Sequence, residues 1–265
     1  MNSIKTVINA FLEAPTIIKN AKLRKYYILP GIIGMILFVM IIFLANKFSN
    51  VLIAQLLKWF KIGGQSYGDS SLSWLKEVFY WLIKVIMWVS IIIVYFFIYK
   101  TILLVLISPI LSYVSEKVDN KLTNRSFSFS IKENMSFITR GAHIGLICFI
   151  KQMIATGVIF ILGIFIPPFS IIGPICIFIV QGYFTGFAFM DYTLERYKFS
   201  TKESMRFLKK KRIYSLLSGS IFTVLLLIPV LGIFVAPLIT CVAVTRITLA
   251  LMRNDKDYDG YISID

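Results

Sequence analysis

Acidic side chains are scarce in this chain: 13 aspartates and glutamates stand against 28 lysines and arginines in 265 residues, a formal net charge of +15. Charge of either sign is thin, at 15% of residues where a soluble domain carries roughly a quarter. That scarcity, with 58% hydrophobic residues and a mean hydropathy of +0.81, excludes a soluble globular enzyme and a disordered basic tail. It also argues against nucleic-acid binding, which needs its basic residues on a water-soluble face. Histidine occurs once, at His143, with no second histidine or nearby acid at metal-ligand spacing. The three cysteines, Cys148, Cys176 and Cys241, lie in apolar runs without paired spacing, so neither a disulfide framework nor a zinc site is expected. The sequence has no GxSxG elbow, no Walker lysine motif and no dinucleotide glycine pattern. No catalysis, no metal and no cofactor are therefore expected.

Long apolar runs dominate what is present, and they predict an all-α integral membrane protein. Residues 1–25 hold Ile4, Val7, Ile8, Phe11 and Leu12 at helical spacing with Lys5, Asn9 and Glu13 between them. This is the pattern of an amphipathic helix in the membrane interface, and Pro15 is expected to break or kink it. Residues 26–46 form a charge-free run of a length that crosses a roughly 30 Å hydrocarbon core, preceded by Lys22, Arg24 and Lys25. Residues 47–84 are mixed and loop-like, and 85–114 form a second long transmembrane helix interrupted by Lys100, with a kink expected at Ser108-Pro109. Two further charge-free stretches, Gln152 to Met190 and Ile213 to Thr245, are split at Pro167-Pro168 and at Ile228-Pro229. Each reads as a helical hairpin. The arms of the second, about 16 residues or roughly 24 Å, are short for a crossing, so the hairpins are expected to penetrate the bilayer part-way.

An internal repeat orders the second half. FSIKENMSFITR from Phe129 matches FSTKESMRFLKK from Phe199, and each copy carries Ser-x-x-Glu, the capping box of a helix N-terminus. The preceding phenylalanine is placed to act as a hydrophobic staple. Each copy leads into a proline-split hairpin, giving helix-plus-hairpin repeats over 129–190 and 199–250, followed by an acidic tail over 251–265. The basic segments 1–25, 115–151 and 196–212 are assigned to the cytoplasm, with both termini, and 47–84 to the outside.

Few side chains then remain for chemistry. Arg24 and Lys25, after Leu23, sit where free helix N-terminal amides and two cations can hold an oxyanion; the competing role is a topology anchor on lipid phosphates. Lys100, Asp191 and Arg246 are intramembrane or bordering charges, hence candidates for a structural clamp or a gate. Asp191 and Arg246 each follow the second arm of a hairpin and are expected to pair. Lys209 to Arg212 is a topology and anionic-lipid patch. Asp255-Lys256-Asp257-Tyr258-Asp259-Gly260 matches half of a calcium loop, but the chain ends before the ligand at position 12, and the expectation is a solvated acidic tail.

The order of these features resembles the CysZ-type sulfate permease family, within the etoposide-induced-protein-like membrane superfamily. The resemblance is carried by Leu23-Arg24-Lys25-Tyr26-Tyr27-Ile28-Leu29-Pro30, by Ser108-Pro109-Ile110-Leu111-Ser112 with Glu116-Lys117-Val118, by Asp191-Tyr192, and by Ile228-Pro229-Val230-Leu231-Gly232 with Ala236-Pro237. It implies two long transmembrane helices, two half-inserted hairpins, a homo-oligomer, and uptake of sulfate across the cytoplasmic membrane. It also implies anion contact at Leu23, Arg24 and Lys25, with Lys22 standing where the family has glycine, a residue that lets backbone approach an oxyanion, and Lys25 where it has a second arginine. The alternative function is a non-transporting, membrane-shaping scaffold whose hairpins wedge one leaflet.

Overall fold

The computed structural model describes residues 3–40, 43, 73–123, 131–228, 231–255 and 257–258, and among these every regular element is helical. Residues 41–42 and 44–72, with most of the expected external loop, and Phe129 and Ser130 of the first repeat lie outside the described residues. The helices are α1 (Ser3–Asn20), α2 (residues 28–40), α3 (Ser73–Thr123), α4 (Ile131–Phe165), α5 (Pro167–Arg196), α6 (Thr201–Lys210), α7 (Arg212–Leu226) and α8 (Leu231–Arg253). Two compact units divide the chain, one formed by Met1–Ile33 with Leu104–Asp265 and the other by Gly34–Leu103.

The break expected at Pro15 does not occur in α1. The helix runs through Pro15 to Asn20 without ending, although an interior proline removes one hydrogen bond and costs about 3 kcal/mol. Packing on both sides of the proline offsets this, since Val7, Ala10, Ala14 and Ile18 form one buried stripe against α8 and α7. The two alanines let the helices approach closely. The interfacial reading keeps a second face, because Ile4, Ile8 and Leu12 are exposed.

The chain reverses at Lys22 instead. There the Leu23 amide bonds the Ile18 carbonyl at 3.0 Å and the Lys22 amide bonds the Lys19 carbonyl at 3.1 Å, the paired bonds of a Schellman cap. Leu23 and Ile18, both buried, supply the cap's hydrophobic contact. Lys22 takes φ 57°, and the helical stretch Arg24–Met40 leaves at 119° to α1. The same turn recurs after α5: the Phe199 amide bonds Leu194, the Lys198 amide bonds Glu195, and Lys198 takes φ 58°. Glycine suits the first of these positions because a left-handed cap costs other residues roughly 1 kcal/mol.

The first hairpin turns on one residue. Ile166 is extended (φ −124°, ψ 95°), as a residue before proline prefers, and Pro167 occupies the first position of α5. The second joins α7, 15 residues and about 22 Å long, to α8, 23 residues and about 34 Å. By length and composition Gly145–Gly163, Ile172–Arg196 and Leu231–Arg253 each suffice to cross a membrane, whereas α7 alone is shorter than the core. Pro109, Pro174 and Pro237 lie inside continuous helices.

α5 and α7 meet backbone to backbone. Gly182 and Gly186, one turn apart, face Ser215 and Gly219 of α7, and a Cβ on Gly186 would run into the Ser215 carbonyl, one on Gly219 into the Gly182 carbonyl and the Gly186 amide. Such small-residue seams let helices pack closely where the surrounding lipid supplies no hydrophobic drive. The Ser215 hydroxyl adds a bond to the Tyr183 carbonyl at 2.8 Å.

Gly186→Ala and Gly219→Ala are expected to destabilise by about 1–3 kcal/mol, the usual cost of overpacking. Gly145→Ala meets nothing within 4 Å and is expected to be neutral or to stabilise by up to about 1 kcal/mol through helix propensity. Thermal unfolding of the three variants in one detergent reads the difference.

Candidate functional site

The Schellman cap sets the exposure of the residues just beyond it. Leu23 is buried and anchors the turn, while Arg24 and Lys25 are exposed. They begin a short 3-10 turn, Arg24–Tyr27, whose preceding residue Leu23 offers no side-chain cap. Lys25 Nζ lies 5.3 Å from the centre of the Tyr26 ring. That ring packs at 5.4 Å on Tyr113 of α3, and Lys117, one turn further on, lies 5.6 Å from the Tyr113 ring. The cationic surface at this bend thus draws on α3 as well as on the N-terminal turn. Tyr113 and Lys117 were not legible as partners, because the contact joins segments about ninety residues apart.

A second constellation is buried where α3, α5 and α8 meet. Arg196, 11% exposed at its side chain, lies 3.5 Å from Asp119, which is fully buried. Its Nη2 donates to Ser115 Oγ at 2.6 Å and to the Tyr192 carbonyl at 3.1 Å. The Tyr197 hydroxyl donates to Asp119 at 3.0 Å, and the Thr245 hydroxyl reaches Ser115 Oγ at 2.8 Å. A guanidinium fork can bridge a carboxylate, a hydroxyl and a carbonyl at once, which a lysine ammonium does less well. Glu116 and Glu195 are buried as well. Only the three-residue spacing of Glu116 and Asp119, on one helix face, hinted at this centre from sequence.

The remaining sequence candidates separate. Lys100 is 1% exposed on α3 in the unit Gly34–Leu103; beside it the Tyr99 hydroxyl donates to the Gly34 carbonyl at 3.3 Å. Asp191 is buried on α5. The expected Asp191–Arg246 pair is not made: Arg246 binds Glu13 of α1 at 2.7 Å. Equal depth along two helices does not fix which way each side chain points, and the Arg246 side of α8 carries α1. Among the described residues no group of His, Cys, Asp or Glu is arranged to hold a metal.

The capping box at Ser200 is made, with Ser200 N–H on Glu203 at 2.7 Å and Glu203 N–H on Ser200 Oγ at 3.3 Å. Phe199 packs on Phe207 rather than stapling the first turn, whose fourth helical position is Ser204. Tyr258 completes that cluster, stacked at 5.4 Å on Phe199 and edge-on at 5.1 Å to Phe207. At Asp255, Asp257 and Tyr258 the tail is therefore docked and not merely solvated. Asp255 takes Lys210 at 2.9 Å and Lys211 at 2.8 Å, and Asp257 takes Lys210 at 2.8 Å. Asp259 and Asp265 lie outside the described residues. Burial works to raise the Asp255 carboxyl, but hydrogen bonds from Lys211 and Lys210 outweigh it and hold it at about 2 against the ordinary 3.8. Bonds to Asp257 and Asp255 hold Lys210 above its usual range.

Arg196→Ala takes the guanidinium from the buried Asp119 and is expected to cost about 3–5 kcal/mol, read as loss of thermal stability in detergent. The tail has its own signature. Because the Asp255 carboxyl is depressed in the folded chain, its contribution is complete above about pH 4 and is lost as pH falls through about 2. Hydrogen exchange at residues 255–258 is expected to rise over that interval, and Asp255→Asn is expected to remove the step.

Among curated proteins none matches the chain significantly. A family model described as sulfate transporter CysZ/etoposide-induced protein 2.4 matches residues 10–237. That match spans the Lys22 bend and, apart from Thr245, the buried Arg196 centre, and it takes in every helix of the fold at least in part. With its several apolar helices the chain is an all-α membrane protein, and it belongs to the sulfate transporter CysZ/etoposide-induced protein 2.4 family.

Proposed function

We propose that the chain is a permease or channel-like homo-oligomer for a small oxyanion, with sulfate the leading substrate, taken up across the cytoplasmic membrane with both termini inside. The observation that carries this reading is the bend at Lys22, which leaves Arg24 and Lys25 exposed at an uncapped helix start. Amides and two cations at one place suit a tetrahedral anion better than either alone. Membership of a family described as sulfate transporters supports the substrate class. Attraction to the cations concentrates anion at the surface without an energy source, and no nucleotide-binding motif in the chain offers one. In the same reading the buried Lys100 and Asp191 are gate candidates, and Arg246 ties α1 to α8.

The scaffold reading draws on the exposed stripe Ile4, Ile8 and Leu12 of α1, which suits insertion into one leaflet. Radiolabelled sulfate influx into proteoliposomes separates the two. Influx above empty vesicles is expected, with Arg24→Ala and Lys25→Ala each lowering it about tenfold, the worth of one charge-assisted hydrogen bond. An assembled protein that passes no sulfate, yet deforms the vesicles, sinks the permease.

A further inference from the structure

α6 is placed by its flanks. The candidate span Ile172–Arg196 ends only four residues before it, a connection that reaches at most about 14 Å. The apolar helix α7 starts directly after Lys211. Both ends of α6 are thus tied to membrane segments, so the helix lies at the bilayer margin. Its buried side is Ser204, Phe207 and Leu208, and Lys202, Arg206 and Lys209 are exposed at i, i+4 and i+7, on one face. Two more cations, Lys210 and Lys211, lie at its C-terminal end, and both are held by tail carboxylates at 2.8–2.9 Å. Lys210 nevertheless stays 47% exposed. Carboxylates on a short tail are here doing at Lys210 and Lys211 what headgroup phosphates do at a juxtamembrane basic helix.

We propose that α6 is a docking helix for anionic phospholipid headgroups, and that Asp255 and Asp257 occupy its last two lysines until headgroup phosphates displace them. Lys202, Arg206 and Lys209 make the first contact, because among the described residues the tail carboxylates pair with Lys210 and Lys211 instead. Displacement then frees Tyr258 from Phe199 and Phe207, since the aromatic stack is seated by the same four-residue segment that carries the two carboxylates.

The test uses the full-length protein in nanodiscs of neutral phosphatidylcholine or of phosphatidylglycerol-rich lipid, with amide exchange at residues 255–258 as the readout. Exchange is expected to be about tenfold faster in the anionic lipid, the effect of roughly one basic residue or more gaining a charged surface. Asp255→Asn with Asp257→Asn is expected to exchange fast in both lipids. Lys202→Gln, Arg206→Gln and Lys209→Gln together are expected to keep the tail protected in neutral lipid and to blunt the response to phosphatidylglycerol. Equal exchange of the unaltered protein in the two lipids, with the double variant fast in neutral lipid, overturns the proposal. So does a double variant as protected as the unaltered protein, which would mean that the carboxylates do not hold the tail. Release by sodium sulfate at matched ionic strength, as complete as release by the lipid, would assign the lysines to a free oxyanion instead.

Discussion

Helices surrounded by lipid gain nothing from the hydrophobic effect when they pack on each other, since the tails they leave are as apolar as the side chains they meet. The α5–α7 seam is the answer this chain gives. Gly182, Gly186 and Gly219 leave no Cβ at the closest points of the crossing, so the backbones touch and dispersion acts at the shortest range. α5 also packs against α4, α6 and α8, and so the position of each hairpin is referred to this one contact. A Cβ at Gly186 or Gly219 would meet backbone, and would shift a whole helix rather than one side chain.

Polar contacts supply what dispersion cannot, namely direction. Arg196 links α5 to α3 through Asp119 and Ser115, and Ser115 continues the link to Thr245 of α8. Asp119, Ser115 and Thr245 are fully buried and Arg196 is 11% exposed, so a helix rotation that breaks these contacts strands polar groups away from water, at a cost of several kcal/mol. The centre therefore selects one rotation of each helix about its axis. At the margin, where water screens charge, the Glu13–Arg246 pair adds at most about 1 kcal/mol and orients α1 only weakly. The burial of Ala10 and Ala14 is what holds that helix.

Much of this was readable from the chain. The Pro167 break, the capping box at Ser200 and the long apolar stretches follow from local rules, because proline geometry, a four-residue cap and lipid-facing composition act over a few neighbours. The family resemblance rested on the order of such local pieces. What escaped was non-local. Pro15 stays helical because α8 packs on both sides of it, and Lys22 reverses the chain although its side chain is a poor choice for φ 57°. Hydropathy reports depth and says nothing of azimuth, so it points Arg246 to Asp191 where the structure has Glu13. Acidic composition reads Asp255 as solvated, because it gives no sign of two lysines about forty-five residues upstream. Tyr113 and Lys117 escaped for the same reason: only tertiary contact brings them to Tyr26 and Lys25.

The unequal arms of the second hairpin have a further consequence. α7 is about 12 Å shorter than α8, and the turn between them bonds within itself, Ile228 N–H to the Leu225 carbonyl and Gly232 N–H to the Ile228 carbonyl. Leu227, Ile228 and Leu231 at the tip are all exposed. From Leu227 to Gly232 the sequence holds neither a charge nor an aromatic belt residue. A hydrocarbon core of roughly 30 Å suits the long arm and exceeds the short one, so the two arms of one hairpin match different thicknesses.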